Sequence, residues 1–188
     1  MEFAGETPYG TLWTIGHSTR EWDAFVEILH EARIECLVDV RRFAGSRRNP
    51  QYSPLAMGPA LQAAGIDYVP IPELGGRRAP QPGSPNGAWR VAAFRGYADN
   101  MASPEYERGR AQLMQLAAAR PTAVMCAEAV WWRCHRRLIS DDFILRGWQV
   151  LHLMALGKVQ PHPLNPAARM CDGVVCYPAE SQAQAALF

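Results

Sequence analysis

The stretch PTAVMCAE, residues 121–128, decides the fold. Its centre is the most continuous apolar run in the chain, as is typical of a strand buried on both faces of a parallel sheet. Four further apolar runs, separated by segments of helical periodicity, are TLWTIG (11–16), IECLVDV (34–40), IDYVPI (66–71) and QVLHLM (149–154). We therefore predict an α/β fold of Rossmann-like type, with helices on both faces of a mostly parallel five-stranded sheet.

The helix boundaries follow from capping signals. Ser18 with Glu21 three residues later forms a capping-box pattern, which predicts that the first helix begins at Ser18. Pro54 opens the second helix and Gly65 ends it. Further helices are predicted at about 90–101, 104–119 and 134–148.

The length of 188 residues fits a single α/β domain. Its core is expected to span about 11–156, and the Pro-rich extension 157–188 is expected to wrap the surface. The segment 73–89 is rich in Gly and Pro and has no periodicity. A loop of this length is usually a lid, a binding loop or disordered.

Composition limits the classes of partner. The net charge of +1 creates no global attraction to nucleic acid or to a membrane. No apolar run reaches the roughly 20 residues that a membrane span needs, and the N-terminus lacks a signal-peptide pattern, so we predict a cytoplasmic protein. The five cysteines are then expected to be thiols or ligands rather than disulfides. The oligomeric state stays open.

Reactive side chains follow the strand at 121–128. In parallel sheets ligands bind beyond the carboxyl ends of the strands, and Cys126, Glu128, Cys134, His135 and Arg136 all fall at that edge. A carboxylate and an imidazole can act as general acid or base. A thiol at a helix N-terminus can be a nucleophile. We name Glu128, Cys134 and His135 as catalytic candidates and Arg136 as a substrate-binding candidate.

A zinc site is the alternative interpretation of the same cluster. Cys126, Cys134 and His135 would supply three ligands. Their spacing matches no usual zinc knuckle, and Cys171 and Cys176 are further candidates. We therefore predict that no cofactor is required, with zinc as the exception.

Arginines dominate the loops at the same edge. Of the 19 basic residues only Lys158 is a lysine, and guanidinium groups suit carboxylates and phosphates. The predicted anion ligands are Arg41, Arg42, Arg47, Arg48, Asn49, Arg77 and Arg78. Asp39 is expected to orient one of these arginines or to act as a base.

Two further groups complete the predicted site. His17 lies where the first strand leads into a helix, at a turn whose N–H groups could hold an anion, and it is a catalytic candidate. Tyr52 and Trp132 are aromatic residues close to the arginines, which could stack a base. His152 is interpreted as a core histidine, and His162 has no decisive context.

The mixture of acid, thiol, arginine and aromatic side chains favours an enzyme. We expect a hydrolase or transferase acting at a phosphate or glycosidic bond of a nucleic acid, a nucleotide or another small phosphate-bearing molecule. Two alternatives stay open: a non-catalytic module that binds anions or nucleic acid or senses redox state or metal, and a thiol-dependent enzyme. The chain has no Walker loop, no GxGxxG and no GxSxG.

Four blocks of the sequence resemble one known family. TIGHSTR, LVDVRRFAGSRRNPQYS, IPELGGRR and MCAEAVWWRCHRRLIS are similar, in this order, to the bacterial domain-of-unknown-function 488 family. The resemblance spans about residues 12–170 and implies a compact α/β domain, without an established activity. It supports treating the following residues as one site: His17, Asp39, Arg41, Glu128, Cys134, His135 and Arg136.

The chain departs from the family pattern at two places. Val130, Trp131 and Trp132 stand where relatives commonly carry a shorter polar stretch with proline, and Ala44 replaces a proline of the arginine loop.

Overall fold

A computed structural model describes residues 9–45 and 48–179 of the chain. Arg47, one of the predicted anion ligands, lies outside the described residues. The strands are β1 Thr11–Gly16, β2 Cys36–Asp39, β3 Asp67–Pro70, β4 Thr122–Cys126, β5 Gln149–Ala155, β6 Lys158–Pro161, β7 Arg169–Cys171 and β8 Val174–Cys176. The helices are α1 Trp22–Glu31, α2 Pro54–Ala63, α3 Ala92–Asn100, α4 Pro104–Ala119 and α5 Arg136–Leu145.

A six-stranded sheet with the order β3-β2-β4-β1-β5-β6 organises the molecule. Strands β1 to β5 pair in parallel, which confirms the predicted mixed α/β fold. Strand β6 is an addition to the five predicted strands and pairs antiparallel with β5. The prediction placed its residues in a surface-wrapping extension. Because all four are exposed, no hydrophobic alternation marked them as a strand.

Alternation along the strands supplies two apolar faces. On one face, Phe25 and Leu29 of α1 and Met57 of α2 pack in one cluster with Ile15 and Met125 of the sheet. The other face carries α3, α4 and α5, and its cluster is larger. That cluster includes Leu12, Val38, Val124, Tyr97, Tyr106, Leu113 and Phe143. The sheet is therefore covered on both sides, as the continuous apolar strands require.

The first helix begins later than predicted. Ser18 has a positive φ of 49°, and α1 starts at Trp22 with Glu21 at its N-cap and no side-chain capping bond. The reason is that the N–H groups of His17 and Ser18 bond to the carbonyls of Cys126 and Ala127. These bonds continue the β1–β4 pairing past the end of the strand and hold Ser18 in a positive-φ turn, whereas an N-cap residue needs an extended backbone.

The hairpin β7–β8 corrects the prediction that all cysteines are thiols or ligands. Cys171 and Cys176 are joined as a disulfide, with their Cα atoms 5.9 Å apart. Asp172 and Gly173 both have positive φ, as a tight hairpin turn requires. The turn brings the two cysteines, which are five positions apart in the sequence, close enough to bond. Cys36, Cys126 and Cys134 are free and buried.

The loop 73–89 is held by side chains from other elements. The Asp99 carboxylate on α3 accepts hydrogen bonds from the Gln81 N–H, the Ser84 hydroxyl and the Asn86 amide. The Asn86 carbonyl accepts from the Tyr177 N–H. Hydrogen bonds to other elements therefore fix the position of this loop.

A membrane-spanning helix is not found in the described part of the chain, where every helix is too short or too polar for that purpose.

Candidate functional site

A cavity of about 230 Å³ opens at the carboxyl ends of β2 and β4. It lies between the loops that follow these strands, the loop after β3 and helix α3. The residues that line it are Arg41, Arg42, Phe43, Gly76, Arg77, Ala93, Phe94, Tyr97, Cys126, Ala127, Glu128, Arg133, Cys134 and His135. Loops from three parallel strands thus converge at the edge where such sheets bind ligands.

Four arginines line the cavity. Arg42, Arg77 and Arg133 are exposed, and Arg41 is buried. The guanidinium groups of Arg42 and Arg77 lie 5.7 and 5.8 Å from the ring centroid of Phe43. Phe43 thus keeps two cations together beside the cavity mouth. The result is a concentration of positive charge in a chain whose net charge is only +1.

Asp39 fixes the buried arginine. Its Oδ1 accepts from the Arg41 Nε at 2.8 Å, and its Oδ2 accepts from the Arg41 Nη2 at 2.7 Å. The Tyr68 hydroxyl donates to the same Oδ2 at 2.7 Å. This bidentate pair is fully desolvated, because Asp39 is 2% exposed. Asp39 therefore orients Arg41, one of the two roles expected of it.

His17 supports Arg41 from the other side. Its Nε2 accepts from the Arg41 Nη1 at 3.1 Å, and its Nδ1 lies 2.9 Å from the Ser18 carbonyl. Its ring stacks on Tyr52 at 4.2 Å between centroids. Burial, aided by the Arg41 charge, lowers the pKa of His17 to about 4. His17 is thus a neutral imidazole with both nitrogens engaged, and its contacts are those of a positioning residue.

Two thiols and an imidazole meet at the cavity floor. The Nδ1 of His135 lies 3.9 Å from the sulfur of Cys126 and 3.7 Å from that of Cys134. All three ligand-type atoms lie within 4.8 Å of one another. The Nε2 of His135 is buried, with no hydrogen-bond partner in the described part of the chain. The two sulfurs are therefore the polar contacts that orient this ring.

Arg136 stands behind the sulfur of Cys134. Its backbone N–H and its Nε donate to that sulfur at 3.5 and 3.4 Å. Its Nη2 donates to the Glu128 carbonyl at 2.6 Å, which fixes the loop after β4. Arg136 is 2% exposed, so it supports the floor of the cavity from the protein interior.

The two thiols differ in acidity. A hydrogen bond to Cys134, together with burial, raises the pKa of Cys126 well above its usual value. Burial also opposes ionisation of Cys134. However, the Cys126 hydrogen bond, His135 and Arg136 together hold the pKa of Cys134 well below the usual value.

The structure brings together most of the predicted catalytic residues but separates some predicted ligands. Glu128, Cys134 and His135 line one cavity, and Asp39 and His17 lie behind it through Arg41. Arg78 lies outside the lining and pairs with Glu105 of α4 at 3.1 Å. Tyr52, Trp132, Arg48 and Asn49 also lie outside the lining: Tyr52 is buried against His17, while Trp132 and Arg48 are exposed.

A chain of buried, hydrogen-bonded polar side chains was not predicted from the sequence. The Asp141 carboxylate lies 2.9 Å from His162 Nε2, and His162 Nδ1 lies 2.9 Å from His152 Nε2. The Nδ1 of His152 lies 2.6 Å from the Thr14 hydroxyl, which accepts from Arg136. His152 is a buried, hydrogen-bonded histidine, as expected. His162 directly follows β6, and its backbone N–H donates to the Val150 carbonyl of β5. Because β6 was not predicted, nothing in the sequence indicated that His162 lies beside β5.

Glycines let the loops approach the site closely. A Cβ on Gly16 would lie 1.8 Å from the Glu128 carbonyl oxygen, and one on Gly76 would lie 2.9 Å from His135 Nδ1. Only glycine allows the loop after β4 to cross β1 and the loop after β3 to pass over His135.

These features define a three-layer α/β protein with an arginine-, thiol- and imidazole-lined cavity at the carboxyl edge of its sheet. The family described as "Domain of unknown function DUF488" matches residues 21–143, which is more than half of the chain. The chain belongs to this family, in agreement with the resemblance of its four blocks. No curated protein and no solved structure matches it.

Proposed function

We propose that the protein is a hydrolase or transferase for a small phosphate-bearing substrate of nucleotide type. The observation that carries the proposal is that four arginines line one cavity together with Glu128. Guanidinium groups bind phosphate oxygens in bidentate geometry, and hydrogen bonds between charged groups are stronger than those between neutral groups.

The size of the cavity favours a nucleotide over a polymer. Its volume of about 230 Å³ is below the roughly 300–1,000 Å³ of sites for drug-sized ligands. It therefore suits a phosphate and the group next to it. A nucleic acid would have to present a chain end to enter. Bond cleavage or transfer next to the phosphate, at a phosphate or glycosidic bond, is the chemistry we assign.

Arg41 gives the anion site a fixed element. Its guanidinium is held by Asp39, His17 and the Tyr52 carbonyl. These contacts leave one Nη1–H for a ligand among the described residues, so Arg41 is a fixed single donor that loses little freedom on binding. The exposed arginines Arg42, Arg77 and Arg133 add charge at the mouth. A preorganised donor beside adaptable ones is the arrangement that lowers the entropic cost of ligand binding.

Glu128 is the acid/base that we assign to the reaction. It follows β4 directly and lines the cavity beside Ala127, and its backbone carbonyl is fixed by Arg136. A carboxylate in this position can take a proton from an attacking water or give one to a leaving group. A thiol nucleophile is less favoured, because Cys134 is only 2% exposed and its sulfur accepts two hydrogen bonds from Arg136.

The test separates binding from turnover. Glu128→Gln should lose turnover by at least about 100-fold while nucleotide affinity, measured by calorimetry, stays within about threefold. Glu107→Gln on the exposed face of α4 is the matched control and should leave both unchanged. Release of phosphate or base from a panel of nucleotides is the activity to follow. Equal turnover by wild type and Glu128→Gln would refute the role of Glu128.

A further inference from the structure

We propose that Cys126, Cys134 and His135 form a binding site for one zinc ion at the floor of the cavity. The site goes beyond the proposed function, because metal binding by these three residues does not depend on which substrate the cavity binds. Cys126 is the last residue of β4, and Cys134 and His135 directly precede α5, so two short segments build the site.

The distances fit tetrahedral zinc. Bonds of about 2.3 Å to sulfur and about 2.0–2.1 Å to nitrogen place a sulfur and a nitrogen ligand about 3.5 Å apart in a tetrahedron. The observed separations between His135 Nδ1 and the two sulfurs are 3.7 and 3.9 Å. All three atoms lie within 4.8 Å of one another. Two sulfur ligands of one tetrahedral zinc lie about 3.8 Å apart, so binding of the ion would draw the two sulfurs toward each other.

The ligand set and its surroundings suit the same ion. A set of two thiolates and one imidazole binds zinc in preference to the harder divalent cations. Arg136 donates two N–H groups to the sulfur of Cys134, the kind of outer contact that orients a metal-bound thiolate. Its positive charge also offsets part of the negative charge that two thiolates would bring.

The fourth position of the ion would face the cavity. Cys126, Cys134 and His135 all contribute to the cavity lining, and Glu128 and Arg41 lie in the same lining. Three protein ligands with an open fourth position are typical of catalytic zinc rather than structural zinc. When bound, the ion would offer a water or a substrate oxygen to the space that the arginines surround.

Cobalt(II) is the probe for the test, because tetrahedral thiolate coordination gives it visible and near-ultraviolet bands. Reduced, metal-free wild-type protein should bind one cobalt per chain with a thiolate charge-transfer band, and zinc should displace it. Cys126→Ser and Cys134→Ser should each weaken binding by more than about 100-fold, since loss of an outer contact alone costs about 10–100-fold.

Controls separate this cluster from the other cysteines. Cys36→Ala and the double variant Cys171→Ser/Cys176→Ser should keep the cobalt spectrum, because those sulfurs lie outside the cluster. Absence of the charge-transfer band in wild type would overturn the site. So would its loss in the double variant together with its retention in Cys134→Ser.

His135→Gln decides the matter if the cysteine variants fail to fold. His135 is only partly buried, so a native circular dichroism spectrum is expected for this variant. Native-like His135→Gln protein that bound cobalt as tightly as wild type would contradict the assignment. Metal binding without nucleotide binding would thus reject the proposed function alone, and the reverse result would reject the zinc site alone.

Discussion

At the scale of single residues, the buried ion pair Asp39–Arg41 connects the fold to the cavity. Asp39 ends β2, accepts three hydrogen bonds from Arg41 and receives a fourth from Tyr68. Removing one member of such a pair leaves an uncompensated charge in a dry environment. The same carboxylate thus compensates the charge of a buried arginine that lines the cavity and fixes its position.

Asp39→Asn should lower the free energy of unfolding by about 3–5 kcal/mol, because Arg41 would lose its charged partner. The matched control is Asp67→Asn, whose carboxylate pairs with Arg120 at the surface. An exposed pair contributes at most about 1 kcal/mol, so this variant should be nearly neutral. Urea unfolding measures both. Equal losses in the two variants would contradict the role given to Asp39.

Residue type alone did not show which of the predicted arginines line the cavity. Arg77 and Arg78 are neighbours in the sequence, but Arg77 lines the cavity and Arg78 pairs with Glu105 of α4. The difference depends on a partner 27 positions away, which no local pattern reveals. The edge of the sheet was predictable from the strands, whereas the choice of arginines was set by tertiary contacts.

At the scale of elements, the crossing of β1 by the loop after β4 fixes the site. Gly16 at the end of β1 leaves room for the Glu128 carbonyl, and Arg136 of α5 holds that carbonyl in place. The positions of Glu128 and Cys134 relative to the sheet both depend on this crossing.

Gly16→Ala should destabilise the protein by at least about 3 kcal/mol, because the new methyl group would overlap the Glu128 carbonyl. Gly45→Ala is the control, since a Cβ there meets nothing within 4 Å among the described residues. Thermal unfolding of both variants provides the comparison. A Gly16→Ala protein as stable as Gly45→Ala would show that the crossing is not tight.

Elements with strong apolar signals were the most predictable. The central strands β1, β2 and β4 matched their apolar runs because burial on both faces demands continuous apolar sequence. Strand β6 escaped because its residues are exposed, and α1 started late because the backbone of Ser18 continues the pairing of β1 with β4. Backbone hydrogen bonds between distant segments leave little trace in local sequence.

At the scale of the whole molecule, buried neutral histidines link stability to pH. The pKa of His17 is lowered to about 4 by burial, and that of His152 to about 2 by burial and the neighbouring His162. In the unfolded chain both would titrate near 6.5. Between pH 6.5 and pH 4 the unfolded state therefore binds more protons, so stability falls as pH falls.

We expect His17 alone to account for about 3 kcal/mol of the loss between pH 7 and pH 4. His17→Gln should therefore show a shallower decline of unfolding free energy with decreasing pH than wild type. His30→Gln, at an exposed position on α1, should keep the wild-type slope. Urea unfolding at several pH values measures these slopes. A slope unchanged by His17→Gln would mean that His17 is not the neutral, buried group described.

The most direct test of the account is calorimetric titration of a nucleoside monophosphate into wild type and into Arg42→Ala/Arg77→Ala, over a series of salt concentrations. We predict that binding weakens with salt, is absent for the nucleoside without phosphate, and is at least about 10-fold weaker in the double variant. Arg108→Ala, an exposed arginine on α4, should bind like wild type. Equal affinity for nucleoside and nucleotide, or full affinity in the double variant, would contradict the claim that the arginine-lined cavity is a phosphate site.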